Sequence, residues 1–313
     1  MNIQNILSEN GLCRICTDSG IYAFSSVAPD IVRAVYTKSD SIPEKSLIVK
    51  DEALADSCPM DFTENETSIT LTNGVVTVIF QKSDGCCTWY RGGVRMFGER
   101  FKTLVETPVE RYDTGGEPPV IKRIKTVDGE RSFIENLKPR FDRMAWRGRL
   151  GFLWDEEEGI YGFGQGEEGI YNYRHHQQYL YQHNMRIPMP MLVSSKGYGL
   201  LFDCCSLMTF NEENDTPYLF FDTIDRMEYY VLAGEGLDNV ISGYRKLTGK
   251  ASMLPRWAFG YVQSKEAYHN ADELLEVGTE YRRRHIPLDC VVQDWNTWAP
   301  GLWGEKKLDR SRY

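Results

Sequence analysis

The stretch Leu254 to Trp298 constrains the fold more than any other part of the chain. Trp257 to Gln263 is an apolar, aromatic-rich run that predicts a buried strand. Asn270, followed three residues on by Glu273, forms a capping box and predicts a helix start. Leu274, Val277 and Tyr281 then share one helical face. Arg282, Arg283 and Arg284 bring positive charge where a helix carboxyl end favours it, and Pro287 is expected to stop the helix. Leu288 to Val292 reads as a second strand, and Gln293, Asp294 and Trp295 follow it directly. Strand, crossover helix and strand make a βαβ unit, whose strands are parallel. Ligand groups in such units gather at the carboxyl ends of strands, which is where Asp294 falls. A carboxylate flanked by Trp295 and Trp298 suits a sugar, with hydroxyls for the acid and a ring face for the indoles. The alternative is that Asp294 only caps a turn.

The preceding residues have a different rhythm. To about residue 250 the chain reads as all-β, with short runs of Val, Ile, Tyr, Phe and Thr between turn signals. Ser68–Thr72 and Val75–Phe80 flank Asn73-Gly74, a hairpin signature. Thr88–Tyr90 and Val94–Met96 flank Gly92-Gly93, and Leu192–Ser195 and Tyr198–Phe202 flank Lys196-Gly197. Ile31–Tyr36 and Asp225–Leu232 are further strand candidates. Many short strands with glycine turns predict a β-sandwich. Val240, Tyr244 and Leu247 share a face, predicting a short helix over 237–247 that Gly249 ends. The expected division is therefore a sandwich over 1–250 and the start of a parallel α/β domain over 251–313.

The length of 313 residues allows about two domains. A net charge of −9 argues against nucleic acid or an anionic membrane as partner. No apolar run approaches the roughly 18 residues of a membrane span, and Met1 to Leu7 lacks the pattern of a signal peptide. Eight cysteines in so long a chain are no disulfide framework; they predict reduced thiols and a cytoplasmic protein.

Several motifs invite other readings. Gly164, Gly166 and Gly169 match a dinucleotide fingerprint, but Glu167 and Glu168 would repel a pyrophosphate and no helical pattern follows. Cys13 and Cys16 lack the second pair that a structural zinc needs, while Cys86-Cys87 and Cys204-Cys205 are expected on strands with side chains on opposite faces. His175, His176 and His183 lie in a polar, aromatic loop that either carries function or is plain surface. No metal and no organic cofactor is expected. There is no G-x-S-x-G elbow for a serine hydrolase.

With these residues in hand, the chain resembles glycoside hydrolase family 31, the α-glucosidases and α-xylosidases. Tyr161-Gly162-Phe163-Gly164-Gln165-Gly166, the pair Ile187–Pro190 with Ser195–Phe202, and Leu254–Ser264 through Asp294-Trp295 carry the resemblance. It implies an all-β, galactose-mutarotase-like sandwich followed by a (β/α)₈ TIM barrel. It also implies retaining hydrolysis of a non-reducing-end α-linked sugar by two carboxyls about 5–5.5 Å apart. A barrel takes about 250 residues, and 58 follow Pro255. The barrel is therefore expected to be truncated, the nucleophile and acid/base to lie beyond Tyr313, and the chain to be an incomplete fragment without turnover of its own. The resemblance assigns Asp294 to a sugar's hydroxyls, Trp295 and Trp298 to the pocket wall, Asn184 to a loop reaching over the barrel mouth, and Lys265 to the same mouth. The expected partners are an oligosaccharide or α-glycoside and a downstream polypeptide completing the barrel, or a homo-oligomer. Unpaired strand edges and exposed Trp257, Phe259, Leu274, Val291 and Val292 predict poor solubility. The competing reading is a non-catalytic carbohydrate-binding β-sandwich. A mutarotase-like epimerase would need a His and Glu pair inside the sandwich, and no histidine precedes His175.

Overall fold

A computed structural model describes all residues except 10, 43–45, 56–57, 128, 213–215 and 303. The chain divides into two compact units. One comprises Met1–Val109 with Arg143–Lys250, and the other Glu110–Asp142 with Ala251–Tyr313.

The first unit is built on two antiparallel sheets. In spatial order, an eight-stranded sheet runs Ile3–Glu9, Leu12–Thr17, Gly20–Ala28, Ile31–Thr37, Met227–Ala233, Tyr198–Phe202, Ile187–Ser194 and Ile160–Gln165. A nine-stranded sheet runs Gln177–Leu180, Met208–Asn211, Tyr218–Ile224, Lys138–Leu153, Val94–Asp113, Cys87–Arg91, Val76–Gln81, Ser68–Thr72 and Asp61–Glu64. Phe24, Tyr198 and Tyr229 of the first sheet meet Trp89 and Phe97 of the second in one aromatic core. This is the expected sandwich.

The two strand candidates Ile31–Tyr36 and Asp225–Leu232 form as Ile31–Thr37 and Met227–Ala233. Every residue of both strands is buried, because their outer face is covered too. A helix over Leu237–Thr248 lays Val240 and Leu247 there, against Ile31, Leu201, Tyr230 and Leu232. Gly199 permits that approach: a Cβ on it would stand 2.6 Å from a Val240 methyl. Gly249, at φ 91°, caps the helix as expected.

All three hairpins form. Gly92 and Gly93 take φ of 52° and 82°, the left-handed pair that a two-residue hairpin turn requires. The Asn73 turn is wider: Thr72 pairs with Thr77, and the Asn73 carboxamide accepts from the N–H groups of Val75 and Val76. Cys86 precedes its strand and Cys204-Cys205 lie outside strands, so the opposite-face expectation fails for both pairs. Cys86 and Cys87 are both buried, next to a turn where Gly85 packs against the Tyr22 ring. No helix of 253–313, nor any other among the described residues, is long and apolar enough to cross a membrane.

In the second unit, Val262–Lys265 and Cys290–Gln293 pair in parallel, from Val262 with Cys290 to Lys265 with Gln293. The helix Ala271–Arg283 connects them. Its N-cap is Asn270, whose carboxamide accepts from Glu273 N at 2.8 Å. Glu273 reaches back to His269 N rather than to Asn270 N, a capping box displaced by one residue. The helix ends before Pro287 is reached. His285 turns left-handed at φ 58°, and Arg283 and Arg284 both fold onto Glu280. The buried strand expected over 257–263 is not formed. Arg256–Phe259 is a short 3₁₀ turn, with Trp257 54% and Phe259 71% exposed. Pairing starts only at Val262, because the Tyr261 N–H is taken by the Asp289 side chain. Leu274, Val291 and Val292 are half-buried, not exposed as expected. Among the described residues these two strands form a two-stranded sheet, with no closed barrel.

The rest of the second unit is a hairpin of Ile121–Thr126 and Gly129–Ile134, with six cross-strand pairs. Asn136 fixes its base, accepting from Val120 N at 2.9 Å and donating to Pro118 O at 3.0 Å. Arg140 and Asp113 form an ion pair just below, at 2.7 Å.

Candidate functional site

Asp294 immediately follows the last residue of Cys290–Gln293, at the strand's carboxyl end, and is exposed. The residue before it anchors the loop, a role the sequence did not reveal. Gln293 donates through Nε2 to Tyr268 O at 3.1 Å, Trp295 O at 3.3 Å and the Tyr313 hydroxyl at 3.0 Å. Two carbonyl acceptors settle the orientation of the amide, since only the nitrogen end can serve them. Its Oε1 is buried with no hydrogen-bond partner. Tyr313 passes the chain of bonds on by donating to Tyr268 O at 2.7 Å.

The loop beyond Asp294 is held in several places. Trp295 N donates to Glu266 O at 3.1 Å, tying the ends of the two parallel strands together. Asn296 is left-handed at φ 63°, a conformation asparagine tolerates. Arg312 Nη2 donates to Asn296 O at 2.9 Å and Trp298 O at 2.7 Å, and is itself aimed by Asp309. Trp295 and Trp298 meet edge to face, with centroids 5.2 Å apart and planes at 79°. Each indole thus spends part of its surface on the other, and both are half-buried.

The structure brings Asp294, Trp295 and Trp298 into one loop. It does not leave Lys265 free for the mouth: its ammonium pairs with Glu273 Oε1 at 2.8 Å and stands 5.2 Å from the Tyr268 ring centroid. The Glu273 hydrogen bond raises its pKa, so the lysine is a charged strut between strand and helix. Asn184 belongs to the other unit. It is exposed in the turn before Ile187–Ser194, where Arg186 N donates to His183 O and Met185 is left-handed at φ 63°.

The histidine loop is pinned by Arg174, which pairs with Glu212 at 2.7 Å and donates to Asp155 O at 2.9 Å. Among the described residues, no three His, Cys, Asp or Glu side chains are placed to hold a metal ion. The six-residue strand ending at Gln165 is followed by loop rather than helix, so the glycine fingerprint has no phosphate-binding helix start.

Two clefts among the described residues are not lined by Asp294. One in the second unit, of about 400 Å³, is lined by Tyr261, Glu280, Tyr281, Arg284, Ile286 and Pro287. Hydrogen bonds from Arg283 and Arg284 hold the Glu280 carboxyl down at about 2. One in the first unit, of about 470 Å³, is lined by Arg91, Val94, Arg95, Met96, Lys196, Gly234 and Glu235. There Arg91 pairs with Glu235, while Arg95 and Lys196 share Asp155.

Residues 251–313 match the family model described as glycosyl hydrolases family 31 TIM-barrel domain. An alpha-xylosidase of Saccharolobus solfataricus is 41% identical over 171 residues, which are 52% of this chain and 23% of that protein. Alpha-glucosidase 2 of Bacillus thermoamyloliquefaciens is 27% identical over 283 residues, 88% of this chain and 32% of its own length. The crystal structure of a GH31 alpha-xylosidase from Xanthomonas citri superposes with a TM-score of 0.71 at 18% identity, covering 95% of this chain and 46% of that one. The chain thus spans less than half the length of each of these relatives.

Proposed function

We propose that this chain, which belongs to glycoside hydrolase family 31, carries the sugar-holding part of a retaining α-glycosidase of the α-xylosidase or α-glucosidase type. In this reading residues 1–250 are the galactose-mutarotase-like sandwich and 251–313 open the (β/α)₈ barrel. The parallel pair Val262–Lys265 and Cys290–Gln293, joined by a helix, supports the second assignment. The single observation that carries the function is Asp294: an exposed carboxylate at the carboxyl end of the second parallel strand, beside the Trp295–Trp298 pair.

An ionised carboxylate accepts strong hydrogen bonds from sugar hydroxyls and has no proton of its own to lose in doing so. The indole faces would take the apolar side of the ring. Gln293 and Arg312 hold the backbone of the loop around Asp294, which supports a site built before the sugar arrives. Cleavage with retention requires a nucleophilic and an acid/base carboxyl besides this one.

Calorimetric titration of the purified chain with methyl α-xyloside and methyl α-glucoside tests the reading. Binding that disappears in Asp294→Ala is expected. Binding that Asp294→Ala leaves unchanged, or no binding of either glycoside, would remove Asp294 from the site.

A further inference from the structure

We infer that the Ile121–Ile134 hairpin is a specificity wall of the Asp294 site, with Arg123 and Glu130 contacting the sugar unit next to the one that Asp294 holds. The inference rests on the sugar-holding reading of Asp294 and names the element that would read the second ring.

The hairpin is far from the βαβ segment in sequence, yet it belongs to the same compact unit. Its contact with that segment is specific. Gly301 lies in the loop that starts at Asp294. A Cβ placed on Gly301 would stand 3.5 Å from Glu130 Oε2 and 3.9 Å from Arg123 Cζ and Nη1. The charged ends of the hairpin therefore rest against the same loop that carries Trp295 and Trp298.

The register explains why these two residues are the ones that arrive. Cross-strand pairs put Arg123 opposite Ser132 and Lys125 opposite Glu130. Side chains alternate between faces, so Arg123, Lys125 and Glu130 share one face, while Lys122, Ile124, Arg131 and Phe133 share the other. One face of the hairpin thus presents two cations and a carboxylate. Gly301, at φ 79°, adds no side chain between that face and the loop.

The chemistry fits a polyol. A guanidinium offers a planar fork of donors and a carboxylate offers acceptors, so together they match both roles of a sugar hydroxyl. The hairpin is also rigid enough to select. Its six-pair ladder, the Asn136 clasp at its base and the Lys122–Glu135 ion pair fix where the charged ends stand. It has no apolar core to serve: Ile121, Ile124 and Phe133 are 65%, 47% and 45% exposed. The arm is thus a surface device and not a packing element.

The test is titration of the full chain with a one-ring probe, methyl α-xyloside or methyl α-glucoside, and a two-ring probe, isomaltose. Arg123→Ala and Glu130→Gln are expected each to weaken the two-ring probe about tenfold, the loss of one charge-assisted hydrogen bond, and to leave the one-ring probe within about twofold. Arg123→Lys keeps the charge without the fork and is expected to fall between. Asp294→Ala is expected to abolish both. Unchanged two-ring affinity in both hairpin variants would overturn the inference while leaving the Asp294 reading intact, and so would equal losses for the two probes. Failure of wild type to bind either probe would overturn the Asp294 reading and the inference with it.

Discussion

The sandwich core contains a charge pair whose energetics can be tested in detail. Lys102 and Glu99 meet at 2.8 Å, with side chains 2% and 0% exposed. Glu99 also receives the Cys87 N–H at 2.9 Å, the Trp89 indole N–H at 3.3 Å and the Tyr229 hydroxyl. The ammonium has less besides Glu99. It has the Tyr229 hydroxyl at 3.5 Å and the rings of Tyr22 and Tyr229, with centroids at 5.4 and 5.8 Å. Breaking a buried pair from one side costs about 3–5 kcal/mol. Lys102→Met leaves a carboxylate with three donors, so its cost should lie near the lower figure. Glu99→Gln strands the ammonium, so its cost should lie near the upper one. The double variant leaves no charge and should lie within about 2 kcal/mol of wild type, because an apolar replacement of a buried pair is often neutral. The coupling energy is then at least about 6 kcal/mol, measured by urea unfolding in a double-mutant cycle.

The pH dependence gives a second readout with a definite sign. Burial is the largest single influence on Lys102 and works against its charge, but Glu99, Tyr229 and Cys87 outweigh it and raise its pKa well above the ordinary value. A raised lysine contributes stability that is complete below its unfolded value, about 10.4, and is lost as the pH climbs through the folded one. Wild type should therefore show no Lys102-linked change between about pH 7 and 10. In Glu99→Gln burial prevails and the folded value falls below the unfolded one. Stability should then rise with pH over that range, by up to about 1.4 kcal/mol per unit. Additive single variants together with parallel pH profiles would refute the reasoning.

Other consequences are simpler. Gln293→Leu removes three donor contacts and should cost about 1–3 kcal/mol in unfolding while weakening α-glycoside binding by the chain; loss of stability with full binding would show that Gln293 does not position Asp294. Asn270→Ala should cost about 1 kcal/mol, and Asn270→Asp should restore most of it, as read by thermal unfolding. Glu158 is desolvated in a buried site where Ser194 and Tyr198 donate to it, and burial raises its pKa. Its contribution is present below the unfolded glutamate value and lost as pH rises through the folded one, so Glu158→Gln should gain on wild type between pH 4 and pH 7, and a constant difference would contradict this. Among the cysteines, Cys205 is exposed whereas burial pushes Cys13 up to about 11 and Cys86 up to about 12, so a maleimide at pH 7.5 should label Cys205 long before either.

The parts that were legible in the sequence are those written in local code. Gly92-Gly93 announces its turn because few residue pairs other than glycines tolerate two left-handed positions in succession, and Asn270 announces its cap because a side-chain oxygen must meet a free N–H. The parts that were not legible depend on residues distant in the chain. Trp257 and Phe259 look like strand interior, but a strand needs a neighbour, and pairing begins only where Cys290 stands opposite Val262. Glu99 and Lys102 look like two ordinary surface charges on a long strand, and only Tyr22, Trp89 and Tyr229 from other strands make them interior.

The same distinction decides what the candidate site can do. Asp294 was placed at a strand end from the apolar run and the helix signals just before it, which can be read locally, and its role came from the family resemblance. The residues that would give the site its selectivity are long-range: Arg312 clamps the Trp298 carbonyl from fourteen positions on, and Arg123 and Glu130 reach Gly301 from a hairpin well over a hundred residues earlier. A hydroxyl-binding carboxylate is shared chemistry, indifferent to which α-glycoside it holds. Discrimination between one sugar and another requires contacts that a wrong ring cannot make. Exchanging the hairpin while keeping Asp294 should therefore change which α-glycosides bind without abolishing binding, whereas replacing Asp294 while keeping the hairpin should abolish the binding of all of them.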